Sequence, residues 1–211
     1  MPGRKRMSDL KKRGRLVVVS GPSGVGKGTV LKYVLENEDF VYSVSATTRE
    51  KRKGEENAVD YFFMSKEDFS GMIERDEFIE YACYNGNFYG TPKFFVEDML
   101  SQGKNVILEI EVKGAVQIKS LVPGAVFVFI APQSKSGLAE RLRARGTEEE
   151  SVVANRLAIA ENEIRSCLMY DYIVVNRDGM AQECAKDIIA AVKAHNLKPE
   201  NVYSDICEFF N

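Results

Sequence analysis

Nine consecutive residues, Gly21-Pro22-Ser23-Gly24-Val25-Gly26-Lys27-Gly28-Thr29, have the composition of a phosphate cradle. Glycines let a backbone curl until several N–H groups point at one anion, and a lysine adds a full positive charge. Gly21, Gly26 and Lys27 satisfy the spacing G-x-x-x-x-G-K. The hydroxyl residue that usually follows the lysine is replaced by Gly28, and Thr29 comes one step later. A glycine-rich turn without a ligand is the bland alternative. Against it stand the apolar run Leu16–Val19 before the loop and the helical spacing of Val30, Leu31, Val34 and Leu35 after it.

Two further groups of residues could handle phosphate. Ser45, Arg49, Arg52, Tyr61, Glu80, Tyr89 and Thr91 fall within 47 positions of one another. Two guanidiniums three residues apart can grip one phosphate, and tyrosine hydroxyls can complete its oxygens. A buried glutamate with hydroxyls beside it suits a partner with two adjacent N–H donors, such as the N1 and N2 edge of guanine. A solvated basic loop and a structural Glu80 fit the same spacing. The second group is Arg141, Arg145 and Arg156. Arg141 and Arg145 share one helical face, Gly146-Thr147 interrupts, and Arg156 lies on the next helix. Such a hinged pair could close over a triphosphate. Ordinary salt bridges to Glu148, Glu149 and Glu150 are the alternative.

The elements that must position these groups alternate. Strands are expected at 16–19, 40–44, 105–110, 125–130 and 172–175. Helices are expected after the loop and over 114–121, 134–144, 148–169 and 180–194. Strand–helix alternation argues for a parallel sheet covered on both faces, with ligands at the carboxyl ends of its strands. The region 45–90 reads differently. Val59–Phe63 alternates, Ser65 with Asp68 marks a helix start, and Asn85-Gly86 marks a hairpin between Phe78–Ala82 and Asn87–Tyr89. Thr91-Pro92 is expected to open the next helix, with proline at its first position. The expected organisation is a basic flexible leader at 1–14, a core at 15–44 and 91–195 with a helical lid at about 134–160, an insertion at 45–90, and a short mixed tail at 196–211. Phe209 and Phe210 close that tail.

Composition narrows the function. The chain has 211 residues, 45% of them apolar, which is enough for one domain with a real core. A net charge of −2 supplies no global field for nucleic acid. The leader, with Arg4, Lys5, Arg6, Lys11, Lys12, Arg13 and Arg15 against Asp9, allows a weak RNA or acidic-surface contact or a merely solvated segment. Cys83, Cys167, Cys184 and Cys207 lack paired spacing, as expected of a cytoplasmic protein. No run has the length of a membrane span, and no signal-peptide pattern follows the leader. His195 is the single histidine, which disfavours histidine-based catalysis or metal binding. Monomer and homodimer both fit.

Taken in order, GPSGVGKGT at 21–29, SATTREKRKGE at 45–55, VDYFF at 59–63, FIEYACYNGNFYGT at 78–91, LEIEVKGA at 108–115, RLRARGT at 141–147 and NRL at 155–157 resemble guanylate kinase. The resemblance runs from about Leu16 to Val192. It implies an α/β P-loop three-layer sandwich with a mostly parallel central sheet, a small mixed α+β GMP-binding insertion and a helical lid. It implies transfer of a phosphoryl group from ATP, with Mg²⁺, to GMP or dGMP. Residues 21–29 would then hold ATP. Arg49, Arg52, Tyr61 and Tyr89 would hold the GMP phosphate, and Ser45, Glu80 and Thr91 would read guanine. Lys27, Arg49, Arg141, Arg145 and Arg156 would serve the transferring group. The family often has aspartates where Glu109 and Glu111 stand, and proline where Lys51 stands. Glu111 matches the acidic position near guanine and the magnesium waters. Gly28 removes a usual magnesium contact, so no direct protein ligand of the metal is named. A non-catalytic interaction module of the same fold, or a kinase for another nucleotide, are the competing readings. Retention of Lys27 and of every named arginine argues against the module, and Glu80 with Ser45 and Thr91 argues against AMP.

Overall fold

The computed structural model describes residues 13–144 and 150–208. The leader up to residue 12, Arg145 with Gly146-Thr147, and Phe209 and Phe210 lie outside the described residues. In chain order the elements are β1 (Leu16–Ser20), α1 (Lys27–Val34), β2 (Phe40–Tyr42), β3 (Ala46–Thr47), β4 (Phe62–Phe63), α2 (Lys66–Glu74), β5 (Phe78–Tyr84), β6 (Asn87–Pro92), α3 (Lys93–Ser101), β7 (Asn105–Glu109), α4 (Val112–Leu121), β8 (Val126–Pro132), α5 (Lys135–Ala144), α6 (Glu150–Arg165), β9 (Tyr172–Asn176), α7 (Ala181–Asn196) and α8 (Pro199–Glu208).

Five strands form a parallel sheet in the order β2-β7-β1-β8-β9. Alternate side chains of β1 feed two separate cores. Val17 and Val19 pack with Val30, Leu31 and Val34 of α1 and with Ile188 and Val192 of α7. Leu16 and Val18 pack with Val96 of α3 and with Ala115 and Ile118 of α4. Burial on both faces is why these strands read as unbroken apolar runs rather than alternating ones. Three layers follow, with all five strand ends pointing one way and the glycine-rich loop at the end of the central strand.

The insertion carries its own four-stranded sheet, β4-β3-β6-β5. Its small core is built on Phe69, which is fully buried and stacks on Phe78 at 4.3 Å and Phe88 at 5.4 Å. Ser65 caps α2, its hydroxyl accepting from the Asp68 N–H at 3.0 Å. Asn85 and Gly86 both take positive φ, 49° and 77°, as a two-residue hairpin turn between right-twisted strands requires. A third cluster, Leu138, Leu142, Val153 and Ala160, joins α5 to α6.

Several elements depart from expectation. Thr91 and Pro92 end β6 instead of opening a helix, because Pro92 is extended (φ −66°, ψ 131°) and pairs with Phe78; α3 begins at Lys93. The alternation over 59–63 yields only the two-residue β4. Ala58 turns the chain at φ 63°, and Val59 remains exposed with its N–H bonded to Glu56. The long helix over 148–169 is α6 followed by a short 3₁₀ turn, Ser166–Met169. The tail holds a ten-residue helix, α8, with Pro199 at its first position and Glu200 in its first turn. Those two signals stand in the sequence, and Val202 and Ile206 are spaced four apart as on one helical face. No helix among the described residues is long and apolar enough to cross a membrane.

Because Phe69 centres a core separate from the main sheet, Phe69→Ala should cost about 3–5 kcal/mol, mostly within the insertion. Urea unfolding followed by circular dichroism should show an early partial transition. A single unshifted transition would contradict the independence of the insertion core.

Candidate functional site

The loop after β1 is held open by its own geometry. Gly24 and Gly26 take φ of 85° and 92°, a region side chains rarely enter. Space excludes side chains there as well. A Cβ at Gly24 would stand 2.7 Å from Leu142 of the lid, and one at Gly26 would stand 2.7 Å from Nδ2 of Asn176. Val25 is fully buried and anchors the loop. Its carbonyl accepts from Asn176 Nδ2 at 2.7 Å and from Arg141 at 2.9 Å. Gly26 caps α1 with no side-chain hydrogen bond, and the first turn of α1 contains no acidic residue. The amides at this helix start are therefore available to an anion. Lys27 Nζ donates to the Gly21 carbonyl at 2.7 Å. A Cβ at Gly28 would meet nothing within 4 Å, so space does not exclude a hydroxyl residue there.

A cavity of about 300 Å³ opens at Lys27, with Gly21, Ser23, Glu109, Ile110, Glu111 and Glu163 in its wall. Glu111 is the exposed residue that caps α4. Glu163 comes from α6. Burial first, and then Glu111, pushes its carboxyl up, while Lys27 draws it down. On the other side of the loop, a cavity of about 570 Å³ lies among Gly26, Thr29, Tyr33, Arg141, Asn176 and Asp178. The Oδ1 atom of Asn176 is buried there without a hydrogen-bond partner.

The lid arginines separate. Arg141 bonds Asp178 at 2.6 Å and the Asn176 carbonyl at 3.2 Å. This places it on the Asn176 flank, bracing the loop from outside. Arg156 reaches the loop itself, donating to Ser23 Oγ at 2.6 Å.

In the insertion, Arg49 lies over the Tyr61 ring at 5.5 Å, and Tyr61 meets Tyr89 edge-on at 6.2 Å. The Arg49 guanidinium donates to Glu55 at 2.8 Å, and the second Glu55 oxygen accepts from the Arg52 N–H at 2.8 Å. One carboxylate thus closes the 49–55 loop around both arginine positions. The hydrogen bond from Arg49 holds the Glu55 carboxyl below its ordinary range. The Arg52 side chain is exposed on the same loop.

Sheet register gathers the remaining three residues. Glu80 pairs with Thr91 across β5 and β6, and Thr91 Oγ1 donates to Glu80 Oε1 at 2.6 Å. Ala46 pairs with Gly90 in the antiparallel β3–β6 ladder, which brings Ser45 opposite Thr91. Burial raises the Glu80 carboxyl, only partly offset by the Thr91 hydrogen bond. Gly90 permits this close approach, since a Cβ there would meet Phe78, Glu80 and Tyr81 at 2.9–3.0 Å.

Sequence reasoning did not single out Glu55, Asn176, Asp178 or Glu163. Asn176 had a signal, a polar residue directly after a buried strand at the carboxyl edge of the sheet. Glu163 is seven positions after Arg156 and so shares its helical face. A larger cavity of about 760 Å³ lies between α2 and α3. Its two cations, Arg75 and Lys93, are already paired with Glu77 and Asp76, so it offers no second anion site.

Known proteins resemble this chain over most of its length. The guanylate kinase family model matches residues 13–194. The chain is 51% identical over 185 residues to a guanylate kinase of Enterococcus faecalis, covering 86% of this chain and 91% of that one. It is 48% identical over 195 residues to one of Bacillus subtilis, covering 92% and 95%. The crystal structure of a guanylate kinase from Anaplasma phagocytophilum superposes with a TM-score of 0.65 at 35% identity, covering 89% of each chain. Identity near one half across most of both chains leaves little room for a different domain, and the chain belongs to the guanylate kinase family.

Proposed function

We propose that the two halves of the site hold two phosphate-bearing substrates facing one another across the carboxyl edge of the sheet. The reaction is that of the family: the γ-phosphoryl group of ATP passes to GMP, giving ADP and GDP. The observation that carries the assignment of halves is the Arg49–Tyr61–Tyr89 cluster on the same small sheet as the buried Glu80–Thr91 pair. A phosphate grip and an N–H reader on one sheet suit a guanine mononucleotide.

In this reading the loop 21–29 and the start of α1 cradle the ATP phosphates, with Lys27 turning from the Gly21 carbonyl to the β- and γ-oxygens. Adenine lies in the cavity at Asn176, whose orphaned Oδ1 would accept from the exocyclic amine. Arg49, Arg52, Tyr61 and Tyr89 take the GMP phosphate, displacing Glu55 from Arg49. Ser45, Glu80 and Thr91 read guanine, and Glu111 approaches from the core. None of these contacts requires a 2′-hydroxyl, so dGMP is also a substrate. Arg156, with Arg145, closes over the transferring group, while Arg141 braces the cradle. The nucleophile is a GMP phosphate oxygen. It bonds to the γ-phosphorus as the β–γ bridging bond breaks, and ADP leaves. A phosphate oxygen needs no strong general base, so positioning and charge neutralisation carry the step.

Mg²⁺ fits the residues present. Among the described residues no group of three or more His, Cys, Asp or Glu forms a metal site. A hydrated ion held by ATP oxygens, with Glu109 and Glu111 facing its waters, suits a cavity of this donor set. Thr29 is the nearest hydroxyl residue in sequence to the open Gly28 position. When bound, Mg²⁺ supplies charge neutralisation across the β- and γ-phosphates. A cytoplasmic location is part of the same reading, and Cys83, Cys167 and Cys184 form no disulfide.

Three measurements test the assignment. Incubated with ATP and Mg²⁺, the protein should form ADP with GMP and not with AMP, CMP or UMP. Lys27→Ala should lower kcat on the order of 100-fold, with GMP affinity by calorimetry nearly unchanged. Wild-type turnover in that variant would remove the cradle from the mechanism. Glu80→Gln has a sign set by burial. The folded state favours protonated Glu80, so ionisation costs stability as pH rises through the raised value, and no cost exists below the ordinary value of about 4.3. Glu80→Gln should therefore raise the melting temperature near neutral pH and leave it unchanged at about pH 4. The same variant should lose discrimination between GMP and AMP. An unchanged preference would withdraw the guanine-reading role.

A further inference from the structure

The cavity at Lys27 has a carboxylate that is tethered from outside it. Glu109 ends β7, beside β1 in the sheet, and lines the cavity together with Lys27. Its Oε2 accepts a hydrogen bond from the Tyr42 hydroxyl at 3.2 Å. Tyr42 ends β2, the strand on the far side of β7, and the ladder continues past it through the Ser43 N–H to the Ile107 carbonyl at 2.8 Å. The backbone beneath Tyr42 is therefore fixed. The Tyr42 side chain is 44% exposed at the edge of the sheet; partial shielding of its hydroxyl first, then Glu109, with a further contribution from Tyr61, pushes the phenol well above the ordinary tyrosine range. Tyr61 belongs to the phosphate grip of the insertion. The hydroxyl of Tyr42 thus links the wall of the Lys27 cavity to β2, the edge strand of the sheet.

A glutamate side chain has three rotatable bonds, and Lys27 is the cation in the wall of its cavity. Released from Tyr42, the carboxylate would gain a short-range attraction to the ammonium. A lysine neutralised in that way is withheld from the transferring phosphoryl group. Holding one Glu109 oxygen on the Tyr42 hydroxyl keeps the carboxylate at the wall, without letting it capture Lys27.

We propose that Tyr42 is a positioning residue for phosphoryl transfer: its hydroxyl tethers Glu109 at the wall of the cavity and so leaves Lys27 to the donor phosphates. The inference rests on the assignment of Lys27 to ATP given above. It assigns Tyr42 no contact with either substrate.

The test is a double-mutant cycle built on Tyr42→Phe, which removes one oxygen from an edge-strand side chain. In the wild-type background, Tyr42→Phe should lower kcat about tenfold, the size expected for losing one hydrogen bond to a charged group. KM for ATP and for GMP should stay within about twofold, and the melting temperature should not change. In the Glu109→Gln background, whatever the rate of that variant, adding Tyr42→Phe should have no further effect, because an uncharged side chain does not capture Lys27. A wild-type kcat for Tyr42→Phe overturns the inference. So does an equal loss in both backgrounds, which would make the hydroxyl independent of Glu109. A rise in KM for GMP at constant kcat also overturns it, since Tyr42 would then touch the acceptor directly. If the wild-type protein phosphorylates GMP while Tyr42→Phe does so equally well, the tether alone falls. If Lys27→Ala retains full turnover, the assignment beneath it falls.

Discussion

Two polyanions repel, and the reaction requires their phosphorus centres to come within a few ångströms. At such separations each unit-charge pair costs roughly 1 kcal/mol even in water and several times more in a closed protein site. The arrangement of this molecule follows from that constraint. An uncapped helix start, a lysine and several arginines converge on one edge of the sheet. In the unliganded protein these cations would repel one another in turn, so each rests on an internal acceptor. Lys27 donates to a loop carbonyl, Arg49 to Glu55, Arg141 to Asp178 and Arg156 to Ser23. On the proposed assignment, substrate phosphates would replace such partners rather than fill a void. Exchange of one hydrogen-bonded partner for another releases little net energy, so these contacts orient the substrates more than they tighten binding.

The fold separates the parts that must stay still from those that must move. The sheet is buried on both faces, and its central strand ends at the phosphate loop. The insertion and the helical lid each have their own apolar cluster, and Ile79 of β5 ties the insertion to the core on one face of the sheet. Contact between lid and loop is nonetheless tight. Leu142 packs where a side chain at Gly24 would stand, and Arg156 bonds to Ser23. Lid position and loop geometry are thereby coupled through van der Waals contact as well as charge.

The parts of the site differed in how far they could be read ahead. The loop was legible because its function is local: nine consecutive residues supply the turn, the amides and the lysine. The roles of Ser45, Glu80 and Thr91 could not be derived from spacing, which allowed a structural glutamate equally well. Strand register is what pairs Glu80 with Thr91 across β5 and β6 and brings Ser45, just before β3, to the same end of the ladder. Glu55 stood inside a motif of arginines, and nothing in its position in the sequence showed that it would neutralise one of them. Arg141 and Arg156 read as members of one group, yet Arg141 bonds the Val25 carbonyl and Asp178 while Arg156 bonds Ser23.

By itself the sequence determined the class of fold, the cradle and the family. These depend on short-range backbone preferences, on the period of apolar residues, and on motifs that keep their order. It also determined most local signals, such as the cap at Ser65 and the hairpin at Asn85-Gly86. Only the tertiary structure decided which charges share a cavity. Glu109, Glu111 and Glu163 come from a strand end, a helix cap and the last turn of a distant helix, and they converge on Lys27 only because the sheet, α4 and α6 pack as they do. Electrostatic interaction depends on separation in space and on local dielectric, and neither is written in the spacing of residues along a chain.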